Sequence, residues 1–158
     1  MKKYWSLFLS FIKKPENVFI SLSLFFGVLS AILVPQLSVS DENMHYMRAY
    51  GISQGRVESN SPCTLPKDVI KRAEAVYEGN FSADYSKPID RNIMDVHKCS
   101  SASGYPPIMH LPQTIGIGIA SLFGGSTGLT ILFGRIANII FYSVAVFFVI
   151  KWVRIGKW

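Results

Sequence analysis

Two apolar runs set the limits on this chain. Residues 18–34 carry no charge, and residues 129–150 carry one, Arg135. A run of about 20 apolar residues is long enough to cross the hydrocarbon core of a bilayer as a helix. In lipid a helix is the form that satisfies its backbone within a single segment. The first run is at the short end of that range, and Pro35 and Leu37 can extend it. The chain therefore reads as an all-α membrane protein.

Charge supports this reading. The net charge of +6 is uneven. Lys2, Lys3, Lys13 and Lys14 precede the first run, and Lys151, Arg154 and Lys157 follow the last, while the middle is close to neutral. Basic residues flanking apolar runs are a membrane signature. No basic, aromatic-interleaved patch points to nucleic acid.

Six stretches follow from these limits. Residues 1–14 form a basic, aromatic interfacial helix on the cytoplasmic surface. Transmembrane helix 1 covers 16–37, with its N-terminus inside. A cleaved signal peptide is the rival reading, disfavoured by the long basic lead and the lack of a clear A-x-A site. An extracytoplasmic loop with short helices covers 38–107, including a helix over 67–77. Residues 108–124 and 129–151 are transmembrane helices 2 and 3, joined by a glycine-rich turn, and 152–158 is a tail. Three spans place Lys151, Arg154 and Lys157 outside, against the positive-inside tendency. A re-entrant 108–123 with an internal C-terminus is the alternative. Ser23, Gly27 and Ala31, and again Gly116, Ala120 and Gly124, recur every four residues and predict close helix packing.

Chemistry concentrates in residues 40–55, SDENMHYMRAYGISQG. Ser40 reads as an N-cap. Asp41 and Glu42 then fall in the first turn, and Asp41, His45 and Arg48 share a face. Gly55 is a stop. The plainer reading is a juxtamembrane helix with solvated charges. Tyr105, Pro106 and Pro107 make a rigid corner, with His110 and Gln113 just beyond. Arg135, Asn138 and Tyr142 share one face of the last run. A charge inside a span faces protein or water, so that face turns toward other helices. The plainer alternative is an Arg135 that snorkels to headgroups. Cys63 and Cys99 could pair if the middle is extracytoplasmic, and would be free thiols if it is cytoplasmic. Asn80-Phe81-Ser82 is a formal glycosylation sequon.

The segments DENMHYMRAYGISQG, YPPIMHLPQTIGIGIASLFGG and LFGRIANIIFY, in this order, resemble the membrane family DUF2142 and the GT-C integral-membrane glycosyltransferases. The resemblance implies sugar transfer from a polyprenyl-phosphate donor to a cell-envelope glycan acceptor, in the bacterial plasma membrane. It implies that Asp41, with Glu42 as the second candidate, is the catalytic base, and that a divalent metal is held there in metal-dependent members. His45, Arg48, Tyr105, His110 and Arg135 would bind substrate. Such enzymes have many more spans, so further membrane helices from the same or another chain are implied, and the 158 residues read as an N-terminal portion, inactive alone. Two other readings stand beside this: a non-enzymatic membrane subunit or scaffold, and a metal site at Asp41, Glu42 and His45.

Overall fold

The computed structural model describes residues 4–5, 11–57, 62–98 and 102–153. Most of the interfacial helix expected over 1–14, part of the 152–158 tail, and Cys99 lie outside the described residues.

Helix α1 spans Pro15–Leu33, with Pro15 in its first turn, where a missing N–H costs nothing. Helix α2, Glu42–Ser53, follows after a tight turn. A small layer comes next: strand β1 (Cys63–Pro66), helix α3 (Lys67–Glu74), the 3₁₀ turn Ala75–Glu78, and strand β2 (Met94–His97). Short 3₁₀ turns at Ala102–Gly104 and Pro107–His110 lead into α4 (Leu111–Leu122), and α5 runs over Thr127–Trp152. Ser126 caps α5 by accepting a hydrogen bond from the Leu129 amide.

The fold is mostly helical, with one departure from an all-α chain. Strands β1 and β2 pair antiparallel, with Cys63 opposite His97 and Pro66 opposite Met94. Residues 94–97 read as loop in the sequence because four-residue strands carry too little alternation to announce themselves.

Helices α1 and α5 are antiparallel. Arg135 reaches the carbonyl groups of Ala31 and Val34, and Ile139 fills the notch at Gly27, where a Cβ would lie 2.6 Å from its Cγ2. The Ser23 and Ser143 hydroxyls share a hydrogen bond of 2.7 Å, and Phe19 meets Tyr142 edge-on. The expected ridge of Ser23, Gly27 and Ala31 is therefore the packing seam. Both helices are long and apolar enough to cross a membrane. Phe25, Phe26, Ile32 and Leu33 on α1 are exposed, as are Ile140, Phe141 and Val149 on α5. A core helix of a soluble fold would bury such residues.

The third span expected over 108–124 is not confirmed. The helix there, α4, has 12 residues, about 18 Å, against a hydrocarbon core of about 30 Å. It packs on the N-terminal half of α5, where a Cβ on Gly116 would overlap the backbone carbonyl of Phe133. At 26 residues, α5 is about 39 Å long and outreaches a bilayer. Its first turns extend beyond the end of α1 into the polar layer. There Gly128 donates to the Asp84 carbonyl at 2.8 Å, and Ile89 donates to Gly125. Lys13 and Lys14 at the start of α1 and Lys151 at the end of α5 thus lie at the same end of the pair.

The core sits in the polar layer rather than between the long helices. Leu37, Tyr46, Met47, Ala49, Tyr50, Leu65, Val69 and Ala73 are buried together. Helix α2 is tied to α5 by a 2.8 Å hydrogen bond between the Tyr46 and Thr130 hydroxyls. It is tied to α3 by Asn43, which donates to the Ala73 carbonyl. Burial pushes the Tyr46 phenol well above its usual pKa. The plainer reading of α2, a wet juxtamembrane helix, is therefore overturned: it is the most enclosed helix of the fold.

The packing yields a test. Gly116→Val should force α4 off α5 and lower stability by about 1–3 kcal/mol, read as unfolding in mixed micelles. Gly118→Ala, which points into open space, should be neutral or gain about 0.5–1 kcal/mol from helix propensity.

Candidate functional site

The turn joining α1 to α2 builds the site. Leu37 and Asp41 both adopt positive φ, 62° and 60°. A left-handed residue other than glycine costs about 1–2 kcal/mol. Leu37 is 2% exposed within the core cluster, so packing holds it there. Asp41, not Ser40, occupies the N-cap position, and its side chain does not cap the helix. Gly55, at φ 80°, lies just past the helix end as expected.

That turn delivers Glu42 to Arg135. The Arg135 Nε donates to Glu42 Oε1 at 2.6 Å and Nη2 donates to Oε2 at 2.8 Å. Nη1 donates to the carbonyls of Val34 at 2.7 Å and Ala31 at 3.3 Å, and Nη2 donates to Pro35 at 2.9 Å. All five donors of the guanidinium are thus engaged. The last carbonyls of α1 have no partner within the helix and carry its negative dipole end, and Arg135 meets both needs. The pair is 13% and 16% exposed at its side chains, so neither charge is freely solvated. Arg135 faces protein, whereas Asn138 and Tyr142, expected on the same inward face, are exposed.

Beside this clasp lies a chamber of about 470 Å³. Glu42 and His45 from α2, Tyr105 and His110 from the approach to α4, Gln113 from α4, and Arg135 and Asn138 from α5 line it. The His45 ring lies between two others, with centroids 5.6 Å from Tyr105 and 5.3 Å from His110. His110 is 4% exposed, and its Nε2 is buried with no hydrogen-bond partner among the described residues. Burial, then the neighbouring His45 and Arg48 side chains, push its pKa below the usual imidazole value. A groove of about 300 Å³ shares Val39, Glu42, Arg135 and Asn138 with the chamber and continues along the α1–α5 seam past Ala31, Gly27 and Ile139. The chamber and the groove therefore share one wall at the Arg135–Glu42 clasp.

Five of the residues picked from the sequence meet here: Glu42, His45, Tyr105, His110 and Arg135. Asp41 is exposed and not in the wall, though its neighbours Ser40 and Glu42 are. The shared face of Asp41, His45 and Arg48 does not form, because Asp41 precedes the helix and Arg48 is buried, donating to the Val57 carbonyl. Cys63 lies on β1 and is disulfide-bonded; its expected partner, Cys99, is outside the described residues. Gln113 and Asn138 are wall residues that had been noted only as polar positions. A divalent metal does not fit: both Glu42 oxygens are held by Arg135, and no group of three His, Cys, Asp or Glu side chains converges among the described residues.

Two long helices, apolar enough to cross a membrane and exposing large apolar side chains, are those of a membrane protein. The chain matches the model of the DUF2142 family, described as a predicted membrane protein, over residues 24–158, and it belongs to that family. No curated protein and no solved structure matches it.

Two outcomes test this geometry. Arg135→Leu should cost about 3–5 kcal/mol by leaving Glu42 buried and unpaired, and a double-mutant cycle with Glu42→Leu should recover part of that loss. Additive losses in micelle unfolding would show the two groups to be independent. His110, with a depressed pKa, binds a proton more readily when unfolded. Stability should therefore fall as pH drops from about 6.5 through its lower folded value. His110→Gln should flatten that acid dependence.

Proposed function

We propose that this chain is the N-terminal module of a polytopic membrane glycosyltransferase of the GT-C type, moving a sugar from a polyprenyl-phosphate donor to a cell-envelope acceptor. The observation that carries the reading is the chamber that opens into a groove on the membrane-facing helix pair. A lipid-linked sugar needs both, one for a polar head and one for an apolar chain. In this reading α1 and α5 cross the bacterial plasma membrane with their lysine-bearing ends in the cytoplasm. The polar layer and α4 lie outside.

The roles follow from what each side chain has left to give. Glu42 is held by Arg135 and serves as a positioning residue. Asp41 remains as the base at the rim of the chamber. It takes the proton of an acceptor hydroxyl as that oxygen attacks the anomeric carbon. The bond from that carbon to the lipid phosphate oxygen breaks, and the phosphate leaves with its electron pair. Tyr105 and the two imidazoles face the donor head.

A second reading, a non-enzymatic membrane subunit, is favoured by the apolar face that α4 exposes at Ile115, Ile119, Leu122 and Phe123. On either reading further helices cover that face, from the same or another chain.

Mutation separates the two readings. In the full-length protein, Asp41→Asn should lower sugar transfer from a radiolabelled polyprenyl-phosphate donor by about 10²–10⁴-fold while the micelle unfolding curve stays in place. Undiminished transfer by the folded variant would remove Asp41 from the chemistry. No transfer by the wild type with any lipid-linked sugar would favour the subunit.

A further inference from the structure

The sequon Asn80-Phe81-Ser82 lies in the polar layer and takes no part in the chamber. Glu78 stands two positions before its asparagine. We propose that Asn80 is a glycan acceptor, N-glycosylated by a membrane oligosaccharyltransferase that reads Glu78 and Ser82 as well as the amide itself.

The segment is open to a second protein. Residues 77–82 are all exposed, and residues 80–85 form neither helix nor strand. The backbone groups of Phe81 and Ala83 make no hydrogen bond among the described residues. A chain of this kind can lie extended in a peptide groove and bond to it through its backbone. Gly79, at φ 73°, ends the preceding 3₁₀ turn and sends the chain outward. The Asn80 amide donates to the Ala75 carbonyl at 2.9 Å, and its carbonyl accepts from Arg72 at 3.3 Å. The backbone of the acceptor is therefore held while its side chain projects.

The side chain is also set for the chemistry. Asn80 Oδ1 accepts from the Ser82 amide at 3.0 Å, which is an Asx turn. Nδ2 is left without a hydrogen bond among the described residues. A donor on Oδ1 draws electron density from the amide and makes its N–H more acidic, as a weak amide nucleophile requires. Glu78 has no ion pair among the described residues, so its carboxylate is free to meet a cationic groove. The compartment fits too. Cys63 is disulfide-bonded, and disulfides persist where sequons are read, on the oxidising side of a membrane. No helix long enough to cross a membrane separates Cys63 from Asn80.

The transfer balances as follows. Asn80 Nδ2 attacks the anomeric carbon of an oligosaccharide linked to a lipid pyrophosphate, and a carbon–nitrogen bond forms. The bond from that carbon to the phosphate oxygen breaks, and the lipid pyrophosphate leaves with its electron pair. One Nδ2 proton passes to a base of the transferase. Here the chain is the acceptor, not the catalyst, so the inference is independent of the transfer reading proposed above.

The test is mass spectrometry of the full chain isolated from its own membranes. Trypsin should release residues 73–91 as one peptide, because Pro88 protects the bond after Lys87. That peptide should carry the added mass of an oligosaccharide, and fragmentation should place it on Asn80. Asn80→Gln and Ser82→Ala should each lose the glycan, with micelle unfolding curves unmoved. Ser82→Thr should keep it, which separates loss of the motif from loss of the fold. Glu78→Gln should lose most of it. An unmodified peptide in the wild-type chain overturns the proposal, and so does a glycan on Ser82 or Ser86. Full occupancy in Glu78→Gln would overturn Glu78 as a residue the transferase reads.

Discussion

The bidentate bond between Arg135 and Glu42 is the interaction on which the other features depend. It joins residues 93 apart in sequence. It also closes the end of α1, whose last carbonyls would otherwise face a low-dielectric surround without donors. One guanidinium therefore fixes three things at once: where α1 stops, where α2 starts, and how far α5 slides along α1. A lysine could not do this. Its three donors radiate from a point, whereas the planar fork matches a carboxylate on one edge and carbonyls on the other. The chamber exists because this clasp holds α2 beside the N-terminal half of α5.

Around the clasp the chain accepts strain. Leu37 and Asp41 are both left-handed, and between them lies a turn with little freedom. What compensates is burial on both sides. Leu37 packs into the α2–α3 core. Gln36 donates to the Gly128 carbonyl at 2.9 Å and to the Tyr85 hydroxyl at 3.0 Å, while its own carbonyl accepts from Arg72 at 2.9 Å. A polar network of this kind is stable only when most of its members are satisfied.

Much of this was legible in the sequence, and the remainder failed for identifiable reasons. The Ser23, Gly27 and Ala31 ridge predicted the α1–α5 seam because small residues at every fourth position have few other uses in an apolar helix. Arg135 was expected to turn toward protein because an unpaired charge in lipid is expensive, and it does, while Asn138 and Tyr142 of the same face stay exposed. The pairing of Arg135 with Glu42 could not be read, since pattern arguments see neighbours on one helix and not across a fold. Helix α2 looked wet because its polar residues were counted as solvated, when Arg48 and Asn43 are buried and bond to backbone carbonyls. The span expected over 108–124 is not confirmed, because apolar composition does not say whether lipid or protein covers a helix. Gly116, read as a ridge for helix packing, marks a close approach of α4 to α5 at Phe133 and Ala137.

What the site can do is decided by which groups remain uncommitted. Of the ionisable side chains selected from residues 40–55, Glu42 and Arg48 serve the fold. Glu42 is bound to Arg135 and Arg48 to the Val57 backbone. Asp41 and His45 remain available, one at the rim and one in the wall. The Pro-Pro corner then brings Tyr105 and His110 to His45 from the far end of the polar layer, some 60 positions later in the chain.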